Sequence, residues 1–116
     1  MHRIFSVPFA DIYPMYVNKV ERKGRTRAEL DQAISWLTGF SKKQLDKQIS
    51  SKTTLTDFFA NAVMNERCGE IKGVVCGVRV EDIEDPLMQK IRYLDKLVDE
   101  IAKGWPIEKV IRETSS

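Results

Sequence analysis

Six residues with chemically useful side chains lie close together in the sequence, directly before a long predicted helix. They are Cys76, Arg79, Glu81, Asp82, Glu84 and Asp85. A thiol can act as a redox group or nucleophile, and hard cations bind several carboxylate oxygens. However, the spacing matches no Ca²⁺-binding loop and lacks the glycine that the turn of such a loop requires. The simpler interpretation is a solvated helix start, where acidic side chains interact favourably with the helix dipole.

The chain offers few other groups for catalysis or metal binding. His2 is the only histidine, and Cys68 and Cys76 are the only cysteines, so a Cys/His zinc site would need carboxylates as well. Nucleophilic triads also need a positioned histidine, and His2 lies at a chain end, where residues are usually solvated. Cys76 lies among valines and glycines, which favours a small buried side chain, whereas Cys68 is expected in an exposed loop. The sequence therefore predicts no metal and no cofactor.

An enzyme would need several reactive side chains to meet in one pocket. The candidates for such a pocket are Cys76, Arg79, Glu81 and Tyr93. Sequence patterns alone reveal neither a cleft nor shifted pKa values. Because no catalytic constellation is recognisable, a non-enzymatic protein is favoured.

Two sets of basic residues are candidates for binding nucleic acid, whose phosphates attract lysine and arginine. The first set lies where the first predicted helix ends and the next begins, and it contains Arg22, Lys23, Arg25 and Arg27; the second contains Lys42, Lys43 and Lys47. Residues 27–50 have the outline of a helix-turn-helix with its turn at 39–41. Yet the second helix carries no arginine to contact base edges. An ordinary helical hairpin is therefore favoured, and the nucleic-acid-binding module is the alternative.

The element that must position these groups is a long amphipathic helix near the C-terminus. Its apolar stripe recurs at three- and four-residue spacing and consists of Leu87, Ile91, Leu94, Leu97, Val98 and Ile101. Asp85 is suited to cap the helix, and Pro86 fits its first position, where a missing N–H has no cost. Gly104 is suited to end it in a left-handed conformation.

Shorter helices are predicted along the rest of the chain. Tyr13, Tyr16, Val17 and Val20 indicate a helix over 12–23. Capping signals at Thr26 and Ser41, with a third at Thr54, begin three more helices, and a short one follows Pro106. We therefore predict a single all-α domain over 1–116, with five or six helices and the long helix as its spine.

Residues 71–80 are ambiguous between helix and strand. Val74, Cys76, Val78 and Val80 alternate as in a strand, whereas Ile71, Val74, Val75 and Val78 fit a helical face. Periodicity cannot decide for so short a run. A helix is favoured, because a lone strand would need a partner that only residues 2–7 could supply.

Composition agrees with one ordinary globular domain. The chain has 116 residues, of which 42% are hydrophobic and 31% charged, with a net charge of +2. No apolar run approaches the roughly 18–20 residues of a membrane span, and the N-terminal residues lack the apolar core of a secretory signal. The sequence therefore predicts a cytoplasmic protein that does not interact with membranes.

Several runs of the sequence resemble an uncharacterised bacterial family that carries only a domain-of-unknown-function label, twenty-two hundred in that series. These are residues 9–14, 23–26, 36–39, 76–88 and 91–97. The chain departs from the family at Phe40, where tyrosine is usual, and in an altered, shorter loop at 65–70. The resemblance implies a small, stand-alone bacterial protein and brings no activity or catalytic residue. The favoured function is therefore a small non-enzymatic binding or interaction protein that forms a homo-oligomer.

Overall fold

A computed structural model describes residues 3–113, which form a helical domain around one long helix. The described α-helices are α1 (Phe9–Glu21), α2 (Arg27–Thr38), α3 (Lys42–Ser50), α4 (Leu55–Asn61), α5 (Pro86–Ala102) and α6 (Ile107–Val110). A hairpin of two short strands, β1 (Val74–Val75) and β2 (Val78–Arg79), lies between α4 and α5. The predicted all-α class is confirmed. His2 lies outside the described residues.

Helix α5 is the spine of the domain, as its apolar stripe predicted. It packs against α1, α2, α4, α6 and β1. Because neighbours surround it, its buried residues extend beyond the stripe and include Tyr93, Lys96 and Glu100. Asp85 caps the helix, since its Oδ1 accepts a hydrogen bond from Met88 N at 2.9 Å.

The first helix differs from its predicted bounds, 12–23. It begins at Phe9 and contains Pro14, which cannot donate to the helix. Phe9 is fully buried, its N–H donates to Thr53 O at 2.8 Å, and its ring stacks on Phe58 with centroids 4.1 Å apart. Because of these tertiary contacts, the helix begins earlier than predicted. They also offset the backbone hydrogen bond that is lost because Pro14 has no N–H.

The preference for a helix over residues 71–80 was wrong, because this segment forms the hairpin. Its partner strand comes from the segment itself rather than from residues 2–7. The loop is Cys76-Gly77, with φ of 52° and 78°, and two consecutive positive φ angles are the mark of a primed hairpin turn. Glycine adopts this conformation readily, whereas cysteine does so only rarely. The residue types at this turn therefore indicated a hairpin only weakly.

The chain after α5 folds back onto that helix. Arg112 forms a bidentate ion pair with Glu100 of α5, with distances of 2.6 and 3.0 Å, and also donates to Val110 O. Its guanidinium lies 5.8 Å from the centre of the Trp105 ring. Among the described residues, no helix has the length and apolar character needed to cross a membrane.

Replacing Gly39 by alanine is expected to destabilise the domain by roughly 1–3 kcal/mol, because Gly39 has a φ of 76° and ends α2 in a left-handed conformation. An added Cβ would also lie 2.9 Å from Val63 O. Urea unfolding followed by circular dichroism measures the loss. Gly24→Ala is the matched control, since Gly24 has the same φ with open space around it. Equal losses in both variants would contradict the predicted clash at Gly39.

Candidate functional site

The six-residue patch before α5 does not converge on one site. Asp85 is occupied as the cap of α5, while Asp82 and Glu84 are exposed. Arg79 and Glu81 form an exposed ion pair with N and O 3.8 Å apart. Glu81 Oε1 also accepts from Gly73 N at 2.9 Å, and this bond is the main reason that the pKa of the Glu81 carboxyl is lowered. Glu81 therefore helps to hold the hairpin in place, and Asp85 holds the start of α5.

Cys76 is exposed at the tip of the hairpin, so its predicted burial was wrong. Its Sγ lies 3.9 Å from Asp95 Oδ2 in α5. The same carboxylate accepts from the Tyr16 hydroxyl at 2.5 Å and from Arg92 Nη1 at 2.7 Å. Burial, followed by the negative charge of Asp95, raises the pKa of the Tyr16 hydroxyl well above its ordinary value.

This cluster ties the hairpin, α1 and α5 together. Asp95 thus accepts hydrogen bonds from Tyr16 of α1, from Arg92 of its own helix and from the Cys76 thiol of the hairpin. Tyr93 is buried in the core, away from solvent. Within residues 3–113, no three histidine, cysteine or carboxylate side chains lie close enough together to hold a metal ion.

Two members of the first basic set, Arg25 and Arg27, make hydrogen bonds within the protein. Arg25 pairs with Glu29, with Nη2 and Oε2 2.6 Å apart, and donates to Ile101 O at 2.8 Å. Arg27 donates to the Tyr13 hydroxyl at 2.9 Å. The side chains of Arg22 and Lys23 are exposed and have no hydrogen bond or ion pair to any described residue.

The second basic set lies on the exposed side of α3, where carboxylates accompany it. Lys42 Nζ is 2.9 Å from Asp46 and 3.5 Å from Asp31. Lys43 is exposed and has no ion pair within the described chain. Two negative charges therefore lie beside the lysine that begins α3, which reduces the positive field that a nucleic-acid backbone would meet.

Lys47 of the same helix lines a cleft between α3 and α4, with a volume of about 460 Å³. We call it the α3–α4 cleft; its lining is Phe40, Gln44, Lys47, Gln48, Ser51, Thr53 and Asn61. None of these side chains is a carboxylate. A second concavity, of about 190 Å³, lies at Tyr13 and Arg27.

Packing beneath the cleft fixes its walls. The Phe40 ring is 7% exposed and meets the edge of Phe58, with centroids 5.1 Å apart. Asn61 Nδ2 donates to Gln48 Oε1 at 3.4 Å and so connects α4 to α3 across the opening. Of the residues that line the cleft, Lys47 alone was a candidate from the sequence. A weak signal was present, since Gln44 and Gln48 are one helical turn apart on the same side as Lys47.

Comparison with known proteins gives a family without an assigned activity. No curated protein matches the chain. A crystal structure entitled "uncharacterized protein SP1917" has 39% sequence identity and a TM-score of 0.91, and the match covers 97% of this chain and 93% of that one. A family model described as "Uncharacterized protein conserved in bacteria (DUF2200)" matches residues 3–112. The chain therefore belongs to the DUF2200 family of bacterial proteins, as the resemblance of its sequence runs had implied.

Proposed function

We propose that this protein is a non-enzymatic binding protein of the bacterial cytoplasm that holds a polar small molecule in the α3–α4 cleft. The observation that supports this proposal is the cleft itself. Its volume of about 460 Å³ falls in the range of about 300–1,000 Å³ that is typical of small-molecule sites. Its lining combines amides, hydroxyls and one lysine around an aromatic wall, a mixture suited to recognising a polar ligand.

The reactive side chains support binding rather than catalysis. The Cys76 thiol faces Asp95, whose oxygens are already bonded to Tyr16 and Arg92. A nucleophilic thiol is usually activated by an adjacent histidine or by positive charge, whereas the group that the Cys76 Sγ contacts is a carboxylate. Among the described residues that line the cleft there is neither a carboxylate nor a histidine to act as a general base.

The nucleic-acid-binding module over residues 27–50 is the second candidate. Its specific support is that α3 is solvent-exposed, with Leu45 as its buried residue, and that Lys43 and Lys47 are available. Asp31 and Asp46, which pair with Lys42, weigh against it. The homo-oligomer stays a prediction that sedimentation can test.

A tryptophan at position 51 is expected to abolish ligand binding in the cleft, because Ser51 lines it and the indole would fill it. The measurement is ¹H–¹⁵N NMR of the whole chain with a library of polar small fragments. We expect shift changes on α3 and α4 in the wild type and none there in Ser51→Trp. Ser50→Trp is the matched control, since Ser50 is exposed and does not line the cleft. Fragments that bind elsewhere, or bind Ser51→Trp equally well, would refute the proposal.

A further inference from the structure

We infer that the α3–α4 cleft binds a phosphate monoester of about nucleotide size, an inference that rests on the proposed function of this cleft. The cleft presents hydrogen-bond donors and one positive charge. A complementary ligand is therefore negatively charged and rich in hydrogen-bond acceptors. Three features of the lining carry this inference: the orientation of one amide, the unused donors beside it, and the volume.

The orientation of the Gln44 amide is fixed by the start of α3. Gln44 Oε1 accepts a hydrogen bond from the backbone N–H of Ser41 at 2.8 Å, as part of a capping box. Because a backbone N–H can only donate, the oxygen must be the atom that faces it. The NH₂ group of Gln44 takes no part in this bond. It can therefore donate hydrogen bonds to a ligand in the cleft that the side chain lines.

Further donors in the lining have no partner within the part of the chain that the structure describes. Lys47 Nζ and the hydroxyls of Ser51 and Thr53 make no hydrogen bond or ion pair to a described residue. Of the lining residues in the range 3–113, Lys47 alone is charged. The nearby carboxylate Asp46 is paired with Lys42 instead. The charge of Lys47 is thus left for a ligand.

Phosphate fits these donors better than a carboxylate does. A phosphate monoester offers three strong acceptor oxygens, whereas a carboxylate offers two. The third oxygen lets a phosphate use more of the available donors, which are the Gln44 amide, the Lys47 ammonium and the hydroxyls of Ser51 and Thr53. A lysine is a regular partner of phosphate as a point charge.

The volume indicates that the phosphate belongs to a larger molecule. About 460 Å³ is far more than one bare phosphate ion fills and is comparable to the sites of drug-sized ligands. Phe40, which is 7% exposed, lines the same cleft and offers an apolar contact for the rest of the ligand. A mononucleotide and a sugar phosphate both carry a phosphate group on a larger molecule. Inorganic phosphate has the charged group but lacks the larger molecule.

Calorimetric titration of the whole chain separates these ligands. The probes are a nucleoside monophosphate, the same nucleoside, a hexose phosphate and inorganic phosphate, each at low and high salt. We expect at least one phosphate monoester to bind about tenfold or more tightly than its unphosphorylated counterpart and than inorganic phosphate. Its affinity is expected to fall as salt rises, because the Lys47 charge is exposed to screening.

Two lysine variants make the test specific to the cleft. Lys47→Gln is expected to weaken binding of the monoester about tenfold and to leave the unphosphorylated compound unaffected. Lys43→Gln is the matched control, since Lys43 lies on the same helix, is exposed and does not line the cleft. It removes the same charge from the protein, so it accounts for any general electrostatic effect, and we expect no change in affinity.

The outcomes distinguish the ligand class from the function of the cleft. If neutral compounds bind there as tightly as their phosphate esters, the inference of a phosphate ligand is overturned while the cleft remains a binding site. If no small molecule perturbs α3 and α4, the proposed function fails as well. If an oligonucleotide binds far more tightly than any monoester, and Lys43→Gln weakens it as much as Lys47→Gln, the lysines form a nucleic-acid surface and the inference is overturned.

Discussion

Replacing Glu100 by alanine is expected to lower the free energy of unfolding by about 3–5 kcal/mol, the usual effect of breaking a buried ion pair. Glu100 is 1% exposed, and its side chain accepts two hydrogen bonds from the Arg112 guanidinium. Without the carboxylate, a guanidinium that is itself only 11% exposed would keep its charge in the core. Urea unfolding followed by circular dichroism measures the change.

Two further variants test the cause of this loss. In Glu108→Ala an exposed glutamate of α6 is removed, and we expect a change within about 0.5 kcal/mol, as for most surface substitutions. In the double variant Glu100→Leu/Arg112→Leu both charges are replaced by apolar groups, so no unpaired charge is left buried. We expect it to recover much of the stability that Glu100→Ala loses. A double variant less stable than Glu100→Ala would show that the unpaired charge is not the cause.

Helix ends were predictable because the contacts that make them are local. The caps formed by Thr26, Ser41 and Asp85 join each side chain to a backbone N–H three residues away. Such a contact depends on two neighbouring residue types and little else. The predicted starts of α2, α3 and α5 accordingly agree with the structure.

The start of α1 and the hairpin could not be predicted for the opposite reason. Phe9 begins α1 through bonds and ring contacts with Thr53 and Phe58, about fifty residues away along the chain. The hairpin depends on Cys76 adopting a conformation that its residue type seldom adopts. Neither tertiary contacts nor tolerated strain leave a periodic pattern in the sequence.

The candidate site was only partly visible in the sequence. Lys47 was recognisable from the sequence as one of three lysines on the second helix of a helix-turn-helix outline. Ser51 and Asn61 carry no such signal, since polar residues of their type are common on every surface. Packing of α4 beside α3 brings them to the cleft. The contact of Cys76 with Asp95 similarly depends on where the hairpin lies on α5.

Replacing Phe58 by alanine is expected to cost about 3–5 kcal/mol of unfolding free energy, the usual effect of removing a buried aromatic ring. Phe58 is fully buried, stacks on Phe9 and meets the rings of Phe40 and Phe59 edge-on. Its loss would leave a cavity bounded by these three rings. Urea unfolding measures the loss, and Val63→Ala is the control, because Val63 is 79% exposed and its truncation is expected to stay within about 0.5 kcal/mol.

The same substitution connects the core to the α3–α4 cleft. Phe58 supports Phe40 from behind, and Phe40 forms part of the cleft wall. Where Phe58→Ala remains folded at low temperature, we therefore expect weaker ligand binding even though Phe58 does not line the cleft. Phe58→Leu keeps most of the volume and is expected to lose less of both stability and affinity. If Phe58→Ala were as stable as the wild type, the aromatic cluster would not be the support of the cleft that its packing indicates.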